Sequence, residues 1–210
     1  MNRRKLHSQI SDCTSQFKKF FDFALDYLDE HGKELVIHPG TKIKYGDDPA
    51  ECTGWCDGES IEVARELHLF EETFVHEFCH MTQAVQNTSL WNDHQASTFW
   101  EDLQANNTDG ISFWNEMYKT ILLEQDCEAR VLKLNKEWQL FDATLYAKQA
   151  NAYLHFYHYV YITRNWELAS PLYCEELLKV MPAKLCTPKQ LKSINMNIMS
   201  VYGEILKKCV

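Results

Sequence analysis

Between residues 11 and 30, SDCTSQFKKFFDFALDYLDE, the apolar positions Phe17, Phe20, Phe21, Ala24 and Leu28 recur at helical spacing. The pattern predicts an opening helix with Asp12 as its cap. The grammar then changes. ELVIHPG, TKIKYGDD and GWCDGESIEVA are short, rich in β-branched residues and punctuated by Pro and Gly. They read as three strands, the last pair joined around DDPAECTG or bent at DGES.

From Glu71 onward the period is helical almost throughout. EETFVHEFCHMTQAVQ is one helix, and SLWNDHQASTFWEDLQANNTDG is an irregular polar insertion with room for a short helix. SFWNEMYKTILLEQDCEARVLKLNKEW and FDATLYAKQANAYLHFYHYVYITRNW are long helices. TPKQLKSINMNIMSVYGEILKK closes the chain as another, with Thr187 and Gln190 in capping-box positions and Pro188 at the first helical one. The fold class expected is α+β: a small antiparallel or mixed three-stranded sheet followed by a mostly helical body. One domain is expected over residues 1–210, with a core at about 35–140 and a helical extension at 141–210.

Composition narrows the function class. The 210 residues carry a formal charge of −9, which disfavours a general role on nucleic acid. No apolar run approaches a membrane span, and no apolar stretch follows the basic start, so neither a membrane protein nor a signal peptide is expected. The eight cysteines, in a chain with 45% hydrophobic residues, read as mostly reduced thiols of a cytoplasmic protein.

The candidate chemistry lies in FVHEFCHMTQ, residues 74–83. On a helix His76 and His80 stack one turn apart and can share one ion, and Glu77 sits about 100° round from His76. This is the H-E-x-x-H arrangement, in which two imidazoles hold Zn2+ and the glutamate accepts a proton from activated water. Phe74, Phe78, Met81 and Val85 form the opposite, packing face; Gln83 falls with the histidines.

A catalytic zinc needs a third protein ligand. The next histidine, His94, has no Gly turn to return it. ILLEQDCEARVLKL offers carboxylates instead. With Trp114, Tyr118, Ile121, Ala129 and Leu132 as the buried stripe, Glu128 falls inside the arc, Glu124 at its border and Asp126 on the solvent side. Lys119 and Arg130 belong to the polar face and account for Asp126 better than for Glu128. A buried carboxylate calls for a pairing cation. Glu128 is therefore the expected third ligand, with Glu124 as the alternate or as a residue orienting a ligand histidine. Cys127 projects away from Glu128, so it is not counted as a ligand and is read as packing.

These residues resemble the zincin metallopeptidases that use a glutamate ligand: a β-hairpin, the helix HEFCH, then a later helix with a glutamate. Small ImmA/IrrE-like peptidases and phage-encoded peptidases share this plan, and the resemblance covers about residues 42–135. DCEARVL is similar to their second motif, which implies Glu128 on the metal. The thermolysin-like Glu-x-x-x-Asp pattern would imply Glu124. Peptide deformylase, with its upstream cysteine ligand, fits poorly, because Cys52 and Cys56 lack its motif. The resemblance also implies a substrate strand at the sheet edge, where GESIEVA is expected.

A metallopeptidase further needs a donor for the developing oxyanion. YLHFYHYVYITRNW is dense in donors, and His158 and Tyr161 are the candidates; the bland alternative is an aromatic core helix with polar tips. Cys52 and Cys56 are read as reduced thiols. The expectation is a zinc-dependent metallohydrolase acting on a protein or peptide, with His76, His80 and Glu128 as ligands and Glu77 as base. The alternative is a zincin-fold interaction protein without turnover.

Overall fold

The computed structural model describes residues 2–44, 51–66, 69–107, 110–166 and 173–206. The chain forms two compact units, one of residues 1–88 and 133–141, the other of 89–132 and 142–210.

The first unit begins with α1 (Arg3–Gln9) and α2 (Ser15–Glu30). Phe17, Phe20, Phe21, Ala24 and Leu28 are fully buried on α2, on the expected face. The cap differs. Thr14, not Asp12, accepts from the Phe17 amide at 3.2 Å, while Asp12 pairs with Arg65. A carboxylate engaged by a guanidinium leaves the helix start to the nearest hydroxyl, which is equally competent there.

Among the described residues five short strands follow: β1 (Glu34–His38), β2 (Ile43–Lys44), β3 (Glu51–Cys52), β4 (Gly54–Cys56) and β5 (Ser60–Ala64). β5 runs parallel to β1 and antiparallel to β4, giving a mixed three-stranded sheet in the order β1-β5-β4. β2 and β3 pair antiparallel, Ile43 opposite Cys52. The bend at DGES joins β4 to β5, with Asp57 Oδ1 accepting from the Glu59 and Ser60 amides at 2.8 and 2.7 Å. Residues 47–50 of the alternative turn DDPAECTG lie outside the described residues. One expectation is overturned: the strand in GESIEVA is central, and β1 and β4 flank it. Both backbone edges of β5 are already paired, a consequence of the long-range parallel pairing to β1.

α3 (Phe70–Val85) packs on β4 and β5. Phe74 and Phe78 are buried among the rings of α2, with Phe74 5.0 Å from Phe21 and Phe78 5.5 Å from Phe20 between centroids. Each such ring pair adds roughly 0.5–1.5 kcal/mol beyond area burial. Glu71 in the first turn accepts from the Thr14 amide at 2.9 Å, so the caps of α2 and α3 are tied together.

The second unit holds α4 (Ser89–Gln95), α5 (Phe99–Gln104), most of α6 (Gly110–Trp138), α7 (Ala143–Thr163), α8 (Glu175–Val180), α9 (Pro188–Leu191) and α10 (Met196–Leu206). The insertion thus carries two short helices. The last turn of α6 belongs to the first unit, where Asn135 Oδ1 accepts from the Leu140 and Phe141 amides at 2.8 and 3.0 Å and ends the helix. The expected closing helix is broken. The capping box at Thr187 starts only α9, and Asn195 opens α10 by accepting from the Asn197 amide at 3.1 Å.

α7 is buried along most of its length and starts at Asp142, which accepts from the Thr144 and Leu145 amides. Asn151, fully buried on α7, straps the segment before α9. Its Nδ2 donates to the Pro182 and Lys184 carbonyls at 2.9 Å each, and its Oδ1 accepts from the Cys186 amide at 2.8 Å. Asn151→Ala orphans three backbone groups and is expected to cost about 3 kcal/mol, read as a lower denaturation midpoint with an unchanged m-value. Among the described residues no helix is long and apolar enough to cross a membrane.

Candidate metal centre

α3 carries His76, Glu77 and His80 as the helical period requires. His76 is half-buried, and Glu77 and His80 are buried. The two imidazoles turn the same nitrogen toward each other: His76 Nε2 lies 3.1 Å from His80 Nε2, the rings edge to face at 83°. Gln83 Oε1, 2.8 Å from His80 Nδ1, accepts the proton there and leaves His80 Nε2 with its lone pair directed at His76. Two zinc–nitrogen bonds of about 2.05 Å spanning this 3.1 Å gap would open at about 98°, near tetrahedral. The local geometry therefore fits a divalent ion on the two Nε2 atoms.

Glu77 is held by a close approach. A Cβ added to Gly54 on β4 would lie 2.6 Å from Glu77 Oε1, 2.8 Å from its Cγ and 2.7 Å from Thr73 Cγ2. The bare backbone at Gly54 is the floor of the Glu77 seat. Cys52 and Cys56, two positions to either side, are both under the influence of the Glu77 carboxylate. Burial first, and Glu77 second, push the Cys52 thiol up to about 11 and the Cys56 thiol higher still. Both are therefore protonated at neutral pH. Sequence periodicity had no means of finding Gly54, because the approach of β4 to α3 is tertiary.

His76, His80 and Cys127 make up a group of side chains able to hold a metal ion. Cys127 is fully buried, as are Glu124 and Glu128 apart from 8% and 3% of their surfaces. The stripe on α6 differs from the expected one. Ala129 is exposed and Trp114, Tyr118 and Leu132 are partly so, while Phe113, Met117, Ile121, Glu124, Cys127, Glu128, Val131 and Asn135 are buried. Cys127 is not turned away but buried on the same side of α6 as Glu128. A buried helical face spans more than 100°, enough for neighbours such as Cys127 and Glu128 to share it. The polar face is as expected: Arg130 Nε meets Asp126 Oδ2 at 2.7 Å, and Lys119 Nζ meets Glu116 Oε1 at 2.8 Å.

Glu124 accepts from the Tyr157 hydroxyl at 3.3 Å, and Tyr157 lies 3.0 Å from the Tyr153 hydroxyl. With Tyr157 donating to the carboxylate, Tyr153 donates to Tyr157. Burial and the nearby Glu124 charge raise Tyr153 well above the ordinary phenol range, so this chain stays protonated. His158, fully buried, has Nε2 2.9 Å from the Leu191 carbonyl and Nδ1 3.2 Å from His155 Nδ1. Tyr161 is partly exposed and stacks at 6.0 Å on Phe113. The tips of Tyr153, Tyr157 and His158 are thus satisfied internally rather than in solvent, and Tyr157 meets a candidate ligand carboxylate.

No family, no curated protein and no solved structure matches this chain.

Proposed function

We propose that the chain is a zinc-dependent metallohydrolase of zincin type, with peptide bonds as the substrate class. The observation that carries the reading is the pair of converging Nε2 atoms of His76 and His80, with Glu77 of the same helix seated beside β4. His76, His80 and Glu128 hold the ion in this reading. A bound zinc would polarise the scissile carbonyl and lower the pKa of the attacking water. Glu77 Oε takes a proton from that water as its oxygen adds to the carbonyl carbon. The same oxygen returns the proton to the amine nitrogen as the C–N bond breaks, leaving a carboxylic acid and an amine, between which the water's second proton passes to give carboxylate and ammonium. Glu124, held by Tyr157, orients the site or stands in for Glu128 as ligand. Tyr161 remains a proposed oxyanion donor, whereas His158 gives its Nε2 proton to the Leu191 carbonyl at 2.9 Å and has none to offer an oxyanion.

Two substitutions test this assignment. Glu128→Gln is expected to weaken zinc binding beyond the roughly 10–100-fold of an outer-shell change, whereas Cys127→Ser leaves affinity within about 10-fold. Competition titration against a chromophoric chelator reads both. The reverse order would make Cys127 the third ligand, and the cobalt-substituted protein would then show a thiolate-to-cobalt absorption band.

Gly54→Ala tests the seat. The new methyl must displace Glu77 or Thr73, an overpacking of about 1–3 kcal/mol. Turnover of a peptide library is expected to fall more than about 10-fold, since a misplacement of about 1 Å has that cost, with the zinc content unchanged. Unaltered kcat in a fully folded Gly54→Ala protein would remove Gly54 from the account.

A further inference from the structure

His155 and Cys186 come together from α7 and the segment before α9, both 97% buried by their 3% exposures. Sulfur and imidazole face each other: Cys186 Sγ is 3.8 Å from His155 Nε2. Hydrogen-bond chemistry fixes which atom is free to bind a cation. The Leu191 carbonyl can only accept, so His158 Nε2 donates to it at 2.9 Å. Burial lowers the basicity of His158, which is therefore neutral, and its Nδ1 accepts from His155 Nδ1 at 3.2 Å. His155 then carries its proton on Nδ1 and presents a bare Nε2 lone pair to the sulfur. Asn151 holds the Cys186 backbone by its amide and the two preceding carbonyls, so the thiol is rigidly placed. Both groups line a cavity of about 500 Å³ together with Pro182, Gln190, Asn195 and Ile198. A water occupies about 30 Å³ of liquid volume, so there is room for a coordination sphere.

We propose that His155 Nε2 and Cys186 Sγ are protein ligands of a further metal site, built from different residues than the His76/His80 pair, for a borderline or soft cation. The donor set, one imidazole nitrogen and one thiolate, selects Zn2+, Cd2+ or Cu+ over Mg2+ and Ca2+. Binding breaks the S–H bond and forms a metal–sulfur bond, and the thiol proton leaves to solvent. His158 orients His155 in the same way that Gln83 orients His80, by fixing the tautomer from the other ring nitrogen. Solvent fills the remaining positions from the cavity. The inference does not depend on the chain being a hydrolase.

Cd2+ titration of the full-length, reduced protein tests it. The probe reports through the thiolate-to-cadmium ultraviolet band and through protons released. His76→Ala/His80→Ala protein is expected to bind one Cd2+, gain the band and release one proton. Adding Cys186→Ser should abolish band and stoichiometric binding, and adding His155→Gln instead should weaken binding by more than about 10-fold. Circular dichroism confirms that each variant is folded, and His155→Gln supplies the test if Cys186→Ser is not. A band that persists in folded Cys186→Ser protein, or no Cd2+ bound by His76→Ala/His80→Ala protein, overturns the proposal. Either result leaves the Glu77 reading untouched, because that rests on hydrolysis and on α3.

Discussion

Glu77→Gln is expected to keep the zinc content of the unaltered protein and lose at least about 100-fold in kcat, within the roughly 10²–10⁴ that a positioned general base contributes. The amide is nearly isosteric, so it fits the seat over Gly54, where Oε1 would lie 2.6 Å from an added Cβ. It cannot accept a proton as the carboxylate does. The measurement is kcat on a peptide library beside zinc content by elemental analysis. Full turnover by the variant would remove Glu77 as base. Full biological activity without turnover in either protein would favour a zincin-fold binding protein over an enzyme.

His80→Ala is expected to have the larger effect on the metal itself. It deletes one of the two converging Nε2 atoms and the partner of Gln83, which is fully buried. Zinc at α3 should be lost and hydrolysis with it. Stability should fall too, because a ligand at about 1,000 times its Kd stabilises the folded state by about 4 kcal/mol. The comparison that isolates this effect is thermal melting with zinc and with chelator. The wild-type midpoint should rise on adding zinc, and that of His80→Ala should rise less. A zinc-induced rise of equal size in both proteins would place the ion elsewhere.

What was legible in the sequence follows from the range of the interactions. The stacking of His76 and His80 depends only on helical geometry within one turn, and the spacing alone predicted it. The packing face of α3 was legible for the same reason: Phe74, Phe78 and Met81 are buried as the period requires. The phase of α6 was harder. Aromatic Trp114 and Tyr118 drew the stripe to themselves, whereas the buried face passes through polar Thr120, Glu124 and Asn135. A pattern built on hydrophobicity discards such residues, and they are the chemically informative ones. Glu128 still fell inside the arc because it lies on that face under either phase.

Longer-range features left no local trace. β5 and β1 pair in parallel across more than twenty residues, so the central place of GESIEVA in the sheet could not be read from its composition. Gly54 reads as one turn glycine among several until β4 is laid beside Glu77. His155 and Cys186 are 31 residues apart and meet only because Asn151 binds the intervening chain to α7. Asp12 was a sound cap by residue type, but Arg65, 53 residues away, competes for it.

The most direct test of the central claim is a crystal structure of the protein purified without chelator, with anomalous differences collected at the zinc edge. The account predicts a strong peak at α3, with His76 Nε2 and His80 Nε2 each about 2.0–2.1 Å from the ion and a Glu128 oxygen at about 2.0–2.2 Å. A third ligand at about 2.3 Å would identify Cys127 sulfur instead and correct the ligand set. No peak between the two histidines, in protein that retains its activity, would contradict the metal centre itself.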